Sequence, residues 1–279
     1  MKIHLATHHG MCFGVRDALR AAHDAAMREP VTLLGQLVHN PVVDRHMRSL
    51  GARPGALDGG RADTRRVVIT AHGASEKDRL HWREAGHLIT DTTCPLVRKA
   101  HEALAMLVRE GCHPVVIGQA NHVEVRGLTG DFPGAFVIET GADAAALPFR
   151  ERYGIVSQTT QPLERVLALV EVVKRRHPGA QARFMDTVCR PTKLRQEALE
   201  DLCVRCEVVI VIGGRASNNT RQLLEKALRL GVRAHLVETA ADLLPEWLRG
   251  AENIGVTAGT STLDETVRAV MDRLQTLAC

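Results

Sequence analysis

Aromatic side chains are scarce in this sequence: five Phe, two Trp and one Tyr, or 3% of 279 residues. A surface that reads single-stranded nucleic acid needs stacking aromatics on a basic face. The basic face is lacking too. The 36 Lys and Arg exceed the 32 Asp and Glu by only +4, and no basic run is longer than Lys174–Arg176. Nucleic acid is therefore not an expected partner, whereas a small anion suits the mild positive balance. Long apolar runs are also missing. The stretch Val208–Ile212 falls far short of the ~20 residues a membrane span requires. The start, MKIHLATHHG, shows no apolar segment behind a charged one, so no secretory signal is expected. No G-x-G-x-x-G or Walker sequence occurs, which argues against a bound nicotinamide dinucleotide or ATP. The seven cysteines are odd in number and mostly far apart. They do not read as a disulfide framework, and a cytoplasmic, reducing setting is expected.

Hydrophobic residues make up 45% and charged residues 24%, enough for an ordinary globular core. Short β-branched runs alternate with helical patterns along the whole chain. Strands are expected at Ile3–Ala6, Val31–Leu34, Val67–Thr70, Leu88–Thr90, Val115–Ile117, Phe136–Ile138, Gly154–Val156, Arg183–Met185, Val208–Ile212, His235–Val237 and Ile254–Val256. Helices are expected between many of them, as at Val15–Arg28, Leu96–Glu110, Leu163–Arg176, Lys193–Val204, Arg221–Leu230 and Leu263–Leu277. The alternation predicts α/β architecture with mainly parallel sheets. Gly51–Gly60 reads as a surface connection.

An internal repeat organises these elements. LLGQLVHN (33–40), VIGQANHV (116–123) and VIGGRASN (211–218) each run from a strand into a glycine-led polar turn. Gly35, Gly118 and Gly213 lie 83 and 95 residues apart. Hydroxyl-rich turns follow: TAHGAS (70–75), SQTTQP (157–162) and TAGTST (257–262). Then comes a strand ending in cysteine, DTTCP (91–95) and DTVCRP (186–191), whose third copy stands at the N-terminus as ATHHGMC (6–12). The expected fold packs three similar α/β domains around a pseudo-threefold axis with a central cavity. Its units are residues 13–97, residues 98–190, and residues 191–279 together with 1–12. Open α/β sheets place ligands at the carboxyl ends of their strands, where all these turns lie.

Cys12, Cys94 and Cys189 occupy equivalent turns. Three thiolates suit a soft metal or an iron–sulfur cluster; zinc with a histidine is the alternative, although zinc sites usually carry close cysteine pairs. A [4Fe–4S] cluster on three cysteines leaves one iron open to a substrate oxygen. Cys203 and Cys206 form a C-x₂-C but read as small apolar residues packing a helix on a sheet, and Cys112 and Cys279 also read as structural. His39, His72 and His122, with Ser217, Asn219 and Ser261, supply cations and donors that suit a diphosphate. His8 and His9 are ambiguous. Glu124, two residues after His122, is either a proton donor raised by burial or a solvated first-turn acid. Thr159 and Thr160 either relay a proton or cap the next helix.

GMCFGV, VHNPVV, TAHGAS, DTTCPLV, NHVEVRG, SQTT, DTVCRPTKLRQ, SNNT and VTAGTS, in this order along essentially the whole chain, resemble the 4-hydroxy-3-methylbut-2-enyl diphosphate reductase family. DTTCPLV and CRPTKLRQ are its most specific runs. The resemblance implies a trefoil of three similar α/β domains and a [4Fe–4S] cluster on Cys12, Cys94 and Cys189. It implies reductive loss of an allylic hydroxyl, giving isopentenyl and dimethylallyl diphosphates, with electrons from ferredoxin or flavodoxin. Diphosphate would be bound by His39, His72, His122, Ser217, Asn219 and Ser261, with Thr160 and Asn218 also against substrate. Glu124 would donate the proton, with Thr159 assisting. Asn218 departs from the family pattern, putting an amide where the family carries a second serine. Phe13 beside Cys12 and Leu263 after Thr262 depart as well. A same-fold cluster enzyme acting on another hydroxylated substrate, as reductase or dehydratase, is the alternative. A metal- or cluster-binding sensor is a third reading.

Overall fold

The computed structural model describes residues 1–278; Cys279 lies outside them. In chain order the first elements are β1 (Lys2–Leu5), α1 (Phe13–Arg28), β2 (Val31–Leu34), α2 (Pro41–Ser49), β3 (Arg53–Gly55), β4 (Arg66–Ile69), α3 (Glu76–Glu84), β5 (Leu88–Asp91) and α4 (Pro95–Arg109). Next are β6 (His113–Ile117), α5 (Val123–Gly130), β7 (Phe136–Ile138), α6 (Gly141–Ala146), β8 (Arg152–Ser157), α7 (Leu163–Arg176) and β9 (Gln181–Phe184). The chain ends with α8 (Arg190–Cys203), β10 (Val208–Ile212), α9 (Asn218–Arg229), β11 (Arg233–Val237), β12 (Asn253–Ala258) and α10 (Asp264–Ala278). Among the described residues, no helix is long and apolar enough to cross a membrane.

The strands form three four-stranded sheets, ordered β3-β2-β4-β5, β7-β6-β8-β9 and β11-β10-β12-β1. Every pairing is parallel. The same order recurs three times, and in the last sheet the first strand of the chain takes the fourth place. The α/β class with parallel sheets, read from the alternation of strands and helices, is what the chain adopts. By contacts it parts into two compact units. One holds Met1–Val15, His39–Val42 and the chain from Arg190 onward, with the β11-β10-β12-β1 sheet; the other holds Arg16–Val38 and Val43–Cys189, with the other two sheets.

Parallel strands covered on both faces read as unbroken apolar runs, and β10 shows why. Its five residues are all buried. Val208, Ile210 and Ile212 pack with Val267, Val270 and Leu274 of α10, while Val209 and Val211 face Leu199 of α8 and Leu223 and Ala227 of α9. In the second unit, Val115 and Ile117 meet α7 through Val166 and Val170, and Val116 meets α4 through Leu104 and Leu107. Burying each such side chain contributes about 1.5–3 kcal/mol.

One expectation fails. Within the Gly51–Gly60 connection, Arg53–Gly55 forms the edge strand β3, pairing Thr32 with Arg53 and Leu34 with Gly55. Pro54 is tolerated because an edge strand need not donate on its outer side. No β-branched residue marks this strand, so composition pointed to a loop.

Candidate active site

Each sheet presents the same three features at the carboxyl ends of its strands. Behind the central strand, a glycine N–H donates to the end of the outer neighbour: Gly35 to Gly55 O (3.0 Å), Gly118 to Ile138 O and Gly213 to Val237 O (both 2.9 Å). Behind the other inner strand comes the hydroxyl-rich turn. Behind the edge strand comes the cysteine, whose N–H donates to that turn: Cys12 to Thr260 O (3.1 Å), Cys94 to Ala71 O (3.0 Å) and Cys189 to Thr159 O (2.9 Å). Each cysteine directly precedes a helix, α1, α4 or α8. Helix N-termini favour negative charge, which suits thiolates and an anionic group held by them. All three are half-buried thiols outside any disulfide.

The unit that contains β10 holds four of the candidate anion ligands, His39, Ser217, Asn219 and Ser261. Ser217 caps α9, accepting from Thr220 N. Asn219 is 1% exposed; its Oδ1 accepts from Thr260 N at 3.0 Å, and its buried Nδ2 has no protein partner. An amide N–H₂ left in this way carries a desolvation cost that an anionic ligand oxygen would offset. Asn40 Nδ2 donates to Ser261 O at 2.6 Å, and Ser261 Oγ lies 3.4 Å from His39 O. Gly214 is required here, because a Cβ would stand 2.4 Å from the His39 carbonyl oxygen. Burial, and then the Arg221 guanidinium, hold the His39 pKa below the usual histidine range, which favours the neutral ring. Asn218 is buried at the first position of α9.

In the other unit, β4 and β6 deliver His72 and His122, whose rings meet edge to face at 5.4 Å. His122 caps α5: its Nδ1 accepts from Glu124 N at 3.1 Å. In the neutral ring this places the proton on Nε2. Glu124 is 2% exposed, which excludes the solvated first-turn reading. Its Oε1 accepts from Thr159 N at 2.5 Å and its Oε2 from Thr159 Oγ1 at 3.1 Å. Burial outweighs both bonds and pushes its pKa up to about 7. Thr159 and Thr160 do not cap α7, whose N-cap is Pro162 without a side-chain bond. Instead Thr160 Oγ1 accepts from Gln158 Nε2 at 3.2 Å.

The family model described as LytB protein matches residues 3–275. The chain belongs to the LytB protein family. Among LytB relatives, the 4-hydroxy-3-methylbut-2-enyl diphosphate reductase of Pelobacter propionicus is 35% identical over 98% of each chain. That of Aquifex aeolicus is 35% identical over 97% of this chain and 95% of its own. The solved E-1-hydroxy-2-methyl-but-2-enyl-4-diphosphate reductase from Plasmodium falciparum superposes with a TM-score of 0.91, at 26% identity, over 98% of this chain and 88% of that one. A solved (E)-4-hydroxy-3-methyl-but-2-enyl diphosphate reductase, described as the terminal enzyme of the non-mevalonate pathway, gives a TM-score of 0.70 at 34% identity, over 99% and 100%.

Several residues of this LytB chain that shape the site escaped the sequence reading. Gln158 is fully buried, and its Oε1 accepts from Gln119 N and Gln161 Nε2, joining the glycine-led turn to the threonine turn. Its place inside SQTT was the available signal. Arg79 and Arg195 are buried behind cysteine turns. Conversely, Cys203 and Cys206 behave as structural thiols. Cys206 packs with Ala6, Ala198 and Leu202, and burial pushes the Cys203 thiol up to about 11. His9 Nδ1 lies 2.7 Å from Ala6 O, and His8 is exposed beside Thr7.

Proposed function

We propose that this LytB-family chain is a 4-hydroxy-3-methylbut-2-enyl diphosphate reductase. On this reading the allylic C–O bond breaks, a C–H bond forms, and two electrons and two protons are consumed with release of water, giving isopentenyl or dimethylallyl diphosphate. The observation that carries the reading is the buried Glu124 carboxyl, tied through Thr159 to the turn that receives the Cys189 N–H. A carboxyl with a pKa of about 7 is half protonated at neutral pH, as a general acid should be.

Cys12, Cys94 and Cys189 would hold a [4Fe–4S] cluster, their three thiols leaving one iron without a protein ligand. When bound, the cluster supplies single electrons and a Lewis-acidic iron. Ser217, Asn219 and Ser261, with neutral His39, would receive diphosphate oxygens as donors, and Asn218 would lie against substrate beside them. His72 and His122 would donate through ring N–H groups, with Thr160 also against substrate. Thr159 Oγ1 would orient the substrate hydroxyl toward Glu124. The pattern of three turns supports division into units at residues 13–97, at 98–190, and at 191–279 with 1–12. Electrons would come from ferredoxin or flavodoxin. Six described cysteines kept as thiols suit a reducing, cytoplasmic setting.

The test is anaerobic turnover of the reconstituted enzyme with reduced viologen and 4-hydroxy-3-methylbut-2-enyl diphosphate, beside Glu124→Ala. Turnover that collapses in the variant supports the reading. A chain that takes up a cluster normally but leaves this substrate untouched overturns it, and points to a different hydroxylated substrate around Asn218.

A further inference from the structure

Buried arginines are costly unless every part of the guanidinium finds a partner. Arg79 and Arg195 are each only 6% exposed, and neither has a role in the reading above. Arg79, on α3, pairs with the more exposed Glu76 at 3.2 Å and donates inward to three further groups. Nε donates to Asp91 Oδ2 at 3.0 Å, Nη2 to Thr93 Oγ1 at 3.2 Å, and Nη1 to the carbonyl of Ala74. Asp91 Oδ1 in turn accepts from Thr93 N at 2.9 Å and from the Thr93 hydroxyl. This one side chain therefore joins the two residues that set the approach to Cys94 to the loop that carries His72.

Arg195, on α8, does the same for another turn. Nη1 donates to Pro191 O at 2.8 Å, and Nη2 reaches Gly10 O at 2.5 Å and His9 O at 3.4 Å. Gly10, at φ +66°, starts the bend that leads to Cys12, and its own N–H donates to Ala258 O. The turn is thus held by β12 on one side and by Arg195 on the other. The Cys189 turn has its own device: Thr187 Oγ1 accepts from Ser157 N at 2.8 Å and donates to Ser157 O at 2.7 Å.

We propose that Arg79 and Arg195 are positioning residues, Arg79 holding the Cys94 turn and Arg195 the Cys12 turn in the conformation that presents each thiol. As ligand positioning, this rests on the cluster reading of the cysteines; as a statement about the turns, it stands on the hydrogen bonds alone. Arginine suits the place because its planar fork carries donors on three separate nitrogens toward fixed acceptors, whereas the three donors of lysine sit on one nitrogen.

The experiment uses the full chain, with and without cluster, in Arg79→Lys, Arg195→Lys and Thr93→Val. The lysine variants keep the charge, and Thr93→Val removes one arm of the Arg79 network without burying a new charge. In the cluster-free chain, iodoacetamide labelling read by mass spectrometry follows each cysteine separately. Arg79→Lys and Thr93→Val should label Cys94 roughly tenfold faster with Cys12 unchanged, and Arg195→Lys should label Cys12 roughly tenfold faster with Cys94 unchanged. In the loaded chain, each variant should lose iron to a chelator faster than the parent. Equal acceleration at all cysteines means general loosening and overturns the proposal, as does no acceleration. If the parent chain itself takes up no cluster, the cluster reading fails, while the site-by-site labelling still decides the role of the arginines.

Discussion

Thr159 holds both carboxylate oxygens of Glu124, Oε1 through its N–H at 2.5 Å and Oε2 through its hydroxyl at 3.1 Å. The pair lies 35 residues apart in sequence, and both partners are buried. Both bonds favour the ionised form, yet desolvation dominates and the pKa rises to about 7. An acid that must be protonated to act loses its competent form above that value. Turnover should therefore fall as pH rises beyond about 7. Glu124→Gln keeps an oxygen acceptor for Thr159 but has no proton to give. Its turnover should drop by about 10²–10⁴, and the residual rate should lack the Glu124 limb of the pH profile. A kcat profile of both proteins checks this.

The same shift makes a statement about stability. In the folded chain Glu124 keeps its proton up to about pH 7, whereas in the unfolded chain it loses it near 4.5. Between these values the folded state binds more proton. Its stability therefore falls as pH rises through the window, by about 3 kcal/mol in full. Glu124→Gln removes the dependence. Relative to the parent, the cluster-free variant should gain stability steadily from pH 5 to pH 8 in denaturant titrations. A constant difference would mean that Glu124 is not held neutral by burial.

Thr159→Val keeps the N–H bond to Oε1 and deletes the hydroxyl bond to Oε2. A lost hydrogen bond to the carboxylate moves its pKa further up, by under about one unit. The falling limb of the pH profile should shift to higher pH. If Thr159 also orients the substrate hydroxyl, kcat should fall about tenfold or more at every pH, with KM little changed.

How much of this could be read from residues alone depended on distance along the chain. The three cysteine turns were legible because the repeat writes each one within a few residues: DTTC, DTVC and GMC. β10 was legible to the residue, since burial of both faces requires five successive apolar side chains. β3 was not, because Arg53, Pro54 and Gly55 have no strand propensity and are paired only through the main chain of β2. The Glu124–Thr159 pair was half legible: both residues stood out, but their alternatives, solvated acid and helix cap, are decided only by burial and by Pro162 taking the cap. Arg79 and Arg195 were illegible, because an arginine in a helix usually belongs to a solvated face. Their partners, Thr93 and Gly10, are 14 and 185 residues away.

Asn219 supplies the sharpest separation of binding from folding. Its Oδ1 accepts from Thr260 N in a buried bond within the fold, while its buried Nδ2 has no protein partner. Asn219→Asp preserves the acceptor toward Thr260 and replaces the free donor with a second acceptor. The chain should keep its fold, judged by thermal melting within a few degrees of the parent. An anionic ligand would then meet an oxygen where an N–H₂ stood. KM for the diphosphate substrate should rise about 100-fold or more, with a smaller change in kcat. Asn219→Ala removes both functions and should melt lower as well, because Thr260 N is left buried without its partner. A KM that stays at the parent value in Asn219→Asp would remove Asn219 from the diphosphate site and leave it as a brace for the 260–262 turn.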